Sequence, residues 1–350
     1  MKHSIRTPLV LRNLTLPGRI VRASTELFCA LPGGFVHPYE YEVYRELSEQ
    51  PLGMILTAHT CVSPEGHANP YQNVLWSDAH LAESAEIARI AGAHGVPVVM
   101  QLGHGGKKAD GSNGGLPVFT PDTMTEEDFT HVARAFGAAA KRAKDAGFAG
   151  VELHAAHLYL LSQCFYPEIN HRTDRFGGSA ENRFRLIRMC FEAVKEACGD
   201  AFPVFMKING DDRDNTDEYH RDIVEMLNLC DRLGMDAAEI SGYDSARRGV
   251  PGAPYFIENI RRLKQETDLP LIAVGGVRTG DDIDALMDAG ASAVSMSRPF
   301  LQNPSIVTEL ARGGSSGCTG CCSCFRQLDT AAQPIVRCPR RTPKKEDITV

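Results

Sequence analysis

Eight short apolar runs recur along the chain at residues 19–24, 53–60, 97–102, 150–154, 203–208, 237–241, 270–275 and 293–296. Each is mostly Val, Ile, Leu, Met or Ala with little alternation, the pattern of strands buried on both faces. Stretches with helical periodicity lie between and after them, at about 39–49, 78–94, 125–146, 180–197, 216–233, 254–266, 281–289 and 303–311. Gly95, Gly147, Gly234 and Gly290 fall just past the last turns of four of these, where helices commonly stop. Eight strands, each followed by a helix, is the count of a (β/α)8 TIM barrel, which typically takes about 250 residues. A doubly wound open sheet is the alternative, but no G-x-G-x-x-G follows the first run. The expectation is an α/β barrel over residues 1–312 with a cysteine-rich C-terminal extension over 313–350.

Barrel chemistry sits at the C-terminal ends of the strands. Those ends read Ser24-Thr25-Glu26, His59, Gln101 with His104, His154 with His157 and Tyr159, Lys207 with Asn209, Ser241 with Tyr243, Gly275-Gly276, and Ser297-Arg298. Two imidazoles can hold one substrate oxygen with N–H groups, while a nearby phenol gives or takes a proton. The same His154-x-x-His157 spacing could also be a metal-ligand pair or a structural cap. The convergence of the other strand ends favours the oxygen clamp. Long excursions follow the third and fourth strands, at 103–124 and 162–179, and the loop 242–251, with Tyr243, Arg247 and Arg248, is expected to help choose the substrate.

Gly275 and Gly276 close the seventh strand and open a helix, so backbone N–H groups and the helix dipole can approach an anion. Ser297 and Arg298 add a hydroxyl and a fixed charge at the usual phosphate position of a barrel. Lys207 could form a Schiff base or stay charged and stabilise the anionic end of a reduced ring system. A phosphate site together with Gln101 and Lys207 suits a mononucleotide lying across the barrel mouth, and FMN fits that description.

The net charge of −7 argues against nucleic-acid binding. No apolar run reaches the roughly 20 residues that span a bilayer, and residues 1–7 lack the apolar core of a signal peptide. A cytoplasmic protein is expected. Five of its eleven cysteines crowd into Cys318, Cys321, Cys322, Cys324 and Cys338. Without a secretory signal, a metal site is the first reading of such a cluster. Cys318, Cys321, Cys324 and Cys338 form C-x2-C-x2-C-x13-C, which could enclose a [4Fe–4S] cluster, bind zinc, or bind nothing.

Residues 19–25, 101–104, 150–163, 170–183 and 275–276, with Ser297-Arg298-Pro299, resemble the Old Yellow Enzyme family of FMN oxidoreductases. The likeness runs from about Leu9 to Pro304. It implies an FMN enzyme that takes reducing equivalents from NAD(P)H and reduces the C=C bond of an α,β-unsaturated carbonyl compound. It implies that Ser24, Thr25 and His59 lie along the flavin and that Gln101 bonds its pyrimidine edge. By the same likeness Lys207 stands near flavin N1 and O2, and Gly275, Gly276, Ser297 and Arg298 grip the phosphate. His154 and His157 would bind the carbonyl oxygen, and Tyr159 would protonate the substrate carbon. Glu26 departs from the family, which has Thr or Cys there; an acid beside the ring should lower its reduction potential. The cysteine spacing looks like the [4Fe–4S] segment of the branch containing trimethylamine dehydrogenase and dienoyl-CoA reductase. That branch implies an electron-transfer partner as one further reading, and a homo-oligomer is expected.

Overall fold

The structure, a computed structural model, describes His3 and residues 5–212, 214–243, 254–325 and 335–341. A short antiparallel hairpin comes first, β1 (Leu9–Val10) with β2 (Thr15–Leu16). The barrel strands follow: β3 (Ile20–Arg22), β4 (Met54–Leu56), β5 (Thr60–Cys61), β6 (Val98–Gly103), β7 (Gly150–Ala155), β8 (Val204–Asn209), β9 (Ala237–Ser241), β10 (Leu271–Val274) and β11 (Ala293–Met296). All pair in parallel, β11 pairs with β3, and β4 pairs with both β3 and β6, so the sheet closes on itself. The run anticipated at 53–60 is split into β4 and β5, both paired with β6. Between them Ala58 leaves the ladder, its N–H donating to the Tyr44 hydroxyl at 2.9 Å. The barrel therefore has eight strand positions, one of them interrupted.

The helices are α1 (Pro38–Ser48), α2 (Leu81–Ala91), α3 (Glu126–Asp145), α4 (Leu160–Phe165), α5 (Ala180–Cys198), α6 (Asp217–Leu233), α7 (Ile257–Lys264), α8 (Gly280–Asp288), α9 (Arg298–Gln302) and α10 (Ile306–Ala311). Thr125 starts α3 through a capping box with Asp128. Phe129, Val132, Phe136, Ala140 and Ala143 recur at three- and four-residue intervals and make the buried face of α3. A Cβ at Gly137 would lie 2.8 Å from the Ala193 carbonyl oxygen of α5, so these two helices approach as closely as only glycine permits. Helix α2 stops at Ala91 with Gly92 as its cap, one turn before the expected end at Gly95. The hairpin, α4 and α9 were not anticipated, being two-residue strands and helices of five or six residues, too short to show a period.

Two apolar clusters hold the molecule. The larger fills the layer between strands and helices. The smaller joins Leu9, Leu11 and Leu16 of the hairpin region to Val21, Met54, Val99, Phe205, Ala237, Ile272 and Ala293 inside the barrel. The hairpin thus plugs the N-terminal end, and the open end is left to the strands' C-termini. Among the described residues no helix is long and apolar enough to cross a membrane.

Candidate active site

Inside the barrel, side chains two residues further along each strand form the next layer up. Along β6, β8 and β9 the apolar Val99, Phe205 and Ala237 give way two residues on to Gln101, Lys207 and Glu239, with Asn209 and Ser241 beyond; on β7 Glu152 pairs with Gln101 and Phe205, and His154 with Lys207. Gln101 and Lys207 form the floor of a cavity of about 390 Å³. Ser24 Oγ donates to Gln101 Oε1 at 2.9 Å, and Gln101 Nε2 donates to Glu152 Oε2. Lys207 is ion-paired to Glu239 on the neighbouring strand.

The strand β7 delivers His154, and the turn after it delivers His157 and Tyr159. His157 and Leu158 both take left-handed backbone angles, φ +58° and +59°, which are uncommon for residues with side chains and mark a turn held by its surroundings. The holding contacts are visible: the His157 N–H donates to Asn209 Oδ1 at 3.1 Å, and its Nε2 lies 2.8 Å from Ser241 Oγ. The two imidazole centroids are 5.3 Å apart, and Tyr159 sits 4.7 Å from His154 and 4.9 Å from His59. Burial, followed by the neighbouring imidazoles and Lys207, holds His154 well below the usual histidine range; burial and then Lys207 do the same for His157. Both rings are therefore neutral at pH 7. Burial, the Glu26 carboxylate and Cys61 push the Tyr159 phenol above its ordinary value, so it keeps its proton. His154 Nδ1 and His59 Nε2 are buried without a partner among the described residues. Glu26 is bound to His59, its Oε2 lying 2.8 Å from Nδ1.

The opposite end of the cavity is built by the loops after β10 and β11. Gly275 and Gly276 have φ of +112° and +79°, and a Cβ on either would come within 2.9 Å of Tyr255. Arg278 and Arg298 line this end, and Thr25 Oγ1 lies 2.7 Å from Ser297 Oγ. Two guanidinium groups beside a glycine turn suit a phosphate, and an amide and an ammonium at the floor suit a polar ring edge. The residues present fit a mononucleotide.

All twelve predicted flavin- and substrate-site residues (Ser24, Thr25, His59, Gln101, His154, His157, Tyr159, Lys207, Gly275, Gly276, Ser297 and Arg298) line this one cavity. Of the predicted metal ligands Cys318 also lines the cavity, whereas Cys321, Cys324 and Cys338 do not. Among the described residues no group of three or more His, Cys, Asp or Glu side chains is arranged to hold a metal. Cys321 is exposed and Cys324 buried, while Cys322, outside the four-ligand spacing, accepts a hydrogen bond from Arg298 Nη1 at 3.0 Å. His104 is buried away from the cavity, stacked on Phe119 and 3.6 Å from Glu65. Arg247 and Arg248 lie outside the described residues. Sequence reasoning missed Tyr255, Phe256 and Lys108 in the lining. Lys108 had a signal in the Lys107-Lys108 pair behind the glycine loop; Tyr255 had none.

The sequence profile of the NADH:flavin oxidoreductase / NADH oxidase family matches residues 4–315. An NADPH dehydrogenase of Halalkalibacterium halodurans is 28% identical over 318 residues, 87% of this chain and 93% of that one. Among solved structures, a morphinone reductase superposes with a TM-score of 0.76 at 26% identity, covering 89% of this chain and 90% of the other. The Old Yellow Enzyme homologue of Zymomonas mobilis gives a TM-score of 0.78 at 22% identity, over 89% and 93% of the two chains, a likeness of fold. The barrel, its cavity and these relatives agree: the chain belongs to the NADH:flavin oxidoreductase / NADH oxidase family and is an NAD(P)H-dependent flavin oxidoreductase of the Old Yellow Enzyme type.

Proposed function

We propose that this chain reduces the C=C bond of an α,β-unsaturated carbonyl compound, with FMN across the barrel mouth and NAD(P)H as the source of hydride. FMN, when bound, supplies a two-electron carrier between nicotinamide and substrate. Gln101 and Lys207 would meet its pyrimidine edge, Ser24, Thr25 and His59 its ring, and Gly275, Gly276, Ser297 and Arg298 its phosphate. His154 and His157 bind the carbonyl oxygen and polarise the double bond toward its β-carbon. Tyr159 O–H delivers a proton to the α-carbon. The observation that carries this reading is the grouping of two neutral imidazoles and a protonated phenol at one edge of the cavity. Two neutral N–H donors suit an oxygen that gains negative charge during the reaction. The test is turnover of enones by the FMN-loaded chain. The combined His154→Ala/His157→Ala variant should lose at least about 100-fold in that rate, and normal turnover would sink the assignment.

For the remainder, the barrel is assigned to residues 1–312 and a separate tail to 313–350, in a cytoplasmic homo-oligomer. The [4Fe–4S] reading of the tail, its kinship with the trimethylamine dehydrogenase branch and an electron-transfer partner rest on the spacing of Cys318, Cys321, Cys324 and Cys338 alone. As placed, these side chains do not gather around a common centre, and no step is routed through them. Iron and zinc analysis of anaerobically purified protein tests the reading.

A further inference from the structure

A neutral imidazole carries one N–H, so it can donate to a substrate oxygen from only one of its two nitrogens. Which nitrogen holds the proton is set by the hydrogen bond that the other one makes. At His157 that second partner is Ser241, buried at the end of β9, whose Oγ lies 2.8 Å from Nε2. Among the described residues the Ser241 hydroxyl has this one hydrogen-bond partner. If Oγ accepted from an Nε2–H, the hydroxyl proton would be left without a protein acceptor, and an unmade donor in a buried site costs about 1–3 kcal/mol. With Oγ donating to the Nε2 lone pair, that proton is used and only spare lone pairs remain, which are tolerated more readily. The backbone of the turn is fixed independently of the ring. Asn209, fully buried, is the register partner of Ser241 across β8 and β9. Tyr166 Oη donates to the Asp211 carbonyl at 2.9 Å and accepts from Asn209 Nδ2 at 2.6 Å. That leaves Asn209 Oδ1 to accept the His157 N–H at 3.1 Å. Two neighbouring strand ends thus hold one residue, Asn209 by its backbone and Ser241 by its ring.

We infer that Ser241 donates its hydroxyl proton to His157 Nε2 and so keeps the single ring proton on Nδ1, the nitrogen left to face the substrate oxygen. Ser241 is a positioning residue acting through His157, and the inference rests on the proposed oxygen clamp. The other tautomer would turn a lone pair toward the carbonyl oxygen. Repulsion would then replace a hydrogen bond at the atom that gains negative charge during the reaction. Ser241 keeps its own proton throughout, so the balance of the step is unaltered: hydride goes to the β-carbon and the Tyr159 proton to the α-carbon.

The test is NMR of the FMN-loaded chain with 15N-labelled histidine at neutral pH, the His157 signals being those lost in His157→Gln. In the parent, Nδ1 should show a directly bonded proton and Nε2 the shift of an unprotonated ring nitrogen. In Ser241→Ala the Nε2–H form should become populated. The single-turnover rate of enone reduction by the reduced enzyme should then fall about 10- to 100-fold, up to the loss expected for a whole oxyanion donor. Ser241→Thr, which keeps the hydroxyl, should keep the parent tautomer and most of the parent rate. A merely structural role of Ser241 would lower the rate in Ser241→Ala without moving the ring proton, and that result overturns the inference. Should the variants not fold, the parent spectrum still decides, because a proton on Nε2 there overturns it equally. Normal enone turnover in the combined His154→Ala/His157→Ala variant would instead overturn the clamp beneath it, whichever tautomer His157 holds.

Discussion

The barrel mouth and the cysteine tail meet where Cys318, Gly320 and Phe325 line the cavity beside Arg298, which also lies 3.0 Å from Cys322 Sγ. They are built on opposite principles. Side chains drawn from positions as distant as Ser24 and Arg298 share one cavity, whereas cysteines a few residues apart in the tail do not share a centre. Each mouth residue sits on or beside a strand whose ladder fixes its direction, and the closed barrel leaves that ladder no freedom of register. Among the described residues the tail is tied to the barrel by a Thr279–Ser315 bridge, a Ser316 N–H donated to the Arg278 carbonyl at 2.7 Å, a Val336 N–H donated to the Leu27 carbonyl at 2.9 Å, and a few side-chain contacts. Sequence distance costs a rigid scaffold little. Nearness along a chain does little when few backbone bonds hold the geometry.

The sharpest way to break this comparison is at Tyr159. If the mouth is preorganised, removing one hydroxyl should abolish one chemical step and spare the rest. Tyr159→Phe should lower the rate of enone reduction by about 100- to 10,000-fold. Reduction of bound flavin by NAD(P)H, read in a stopped-flow half-reaction, should be unchanged. A parallel loss in both steps would mean that Tyr159 shapes the site rather than donating a proton.

Arg298 comes next, because it belongs to both regions. Arg298→Ala removes a fixed charge from the proposed phosphate end, and a charge-assisted hydrogen bond is worth about 1.5–3 kcal/mol. The dissociation constant for FMN should rise about 10- to 100-fold, measured by quenching of flavin fluorescence. An unchanged constant would place the phosphate elsewhere.

What the residues disclosed in advance follows the same division. The strands were legible because runs such as Val204–Asn209 are apolar throughout, and a parallel sheet covered on both faces permits little else. Strand ends then located the cavity. The floor pairing of Lys207 with Glu239 was not legible, because it depends on inter-strand register, which composition does not encode. Glu26 stood out as an odd residue, but its partner His59 could not be foreseen from a separation of over thirty residues. In the tail the spacing was plain and the placement was not, since spacing along a chain does not fix where its side chains point.

A smaller effect tests the neutrality of the two imidazoles. Their folded-state affinity for protons is lowered, so the unfolded chain binds more protons as pH falls below about 6.5. Their contribution to stability is therefore complete above that pH and is lost on acidification. Urea unfolding midpoints should fall between about pH 6.5 and pH 5, and the fall should be shallower in His154→Gln/His157→Gln. An equally steep fall in both proteins would move the acid sensitivity to other groups.

The smallest expected change lies at Cys321, and it divides the two regions most cleanly. This thiol is exposed, and hydrogen bonds from Ser323 hold it down to about 7, whereas burial pushes Cys318 and Cys324 up. An exposed residue outside a core or a cap changes stability by less than about 0.5 kcal/mol when replaced. If the tail binds nothing, Cys321→Ser leaves stability, FMN content and turnover unaltered. If the four spaced cysteines close on a cluster, the same substitution removes a ligand, and anaerobically purified protein loses its iron while the barrel keeps its flavin. Loss of flavin together with iron would mean that the tail, through Cys322 and Arg298, helps to hold the phosphate end of the mouth.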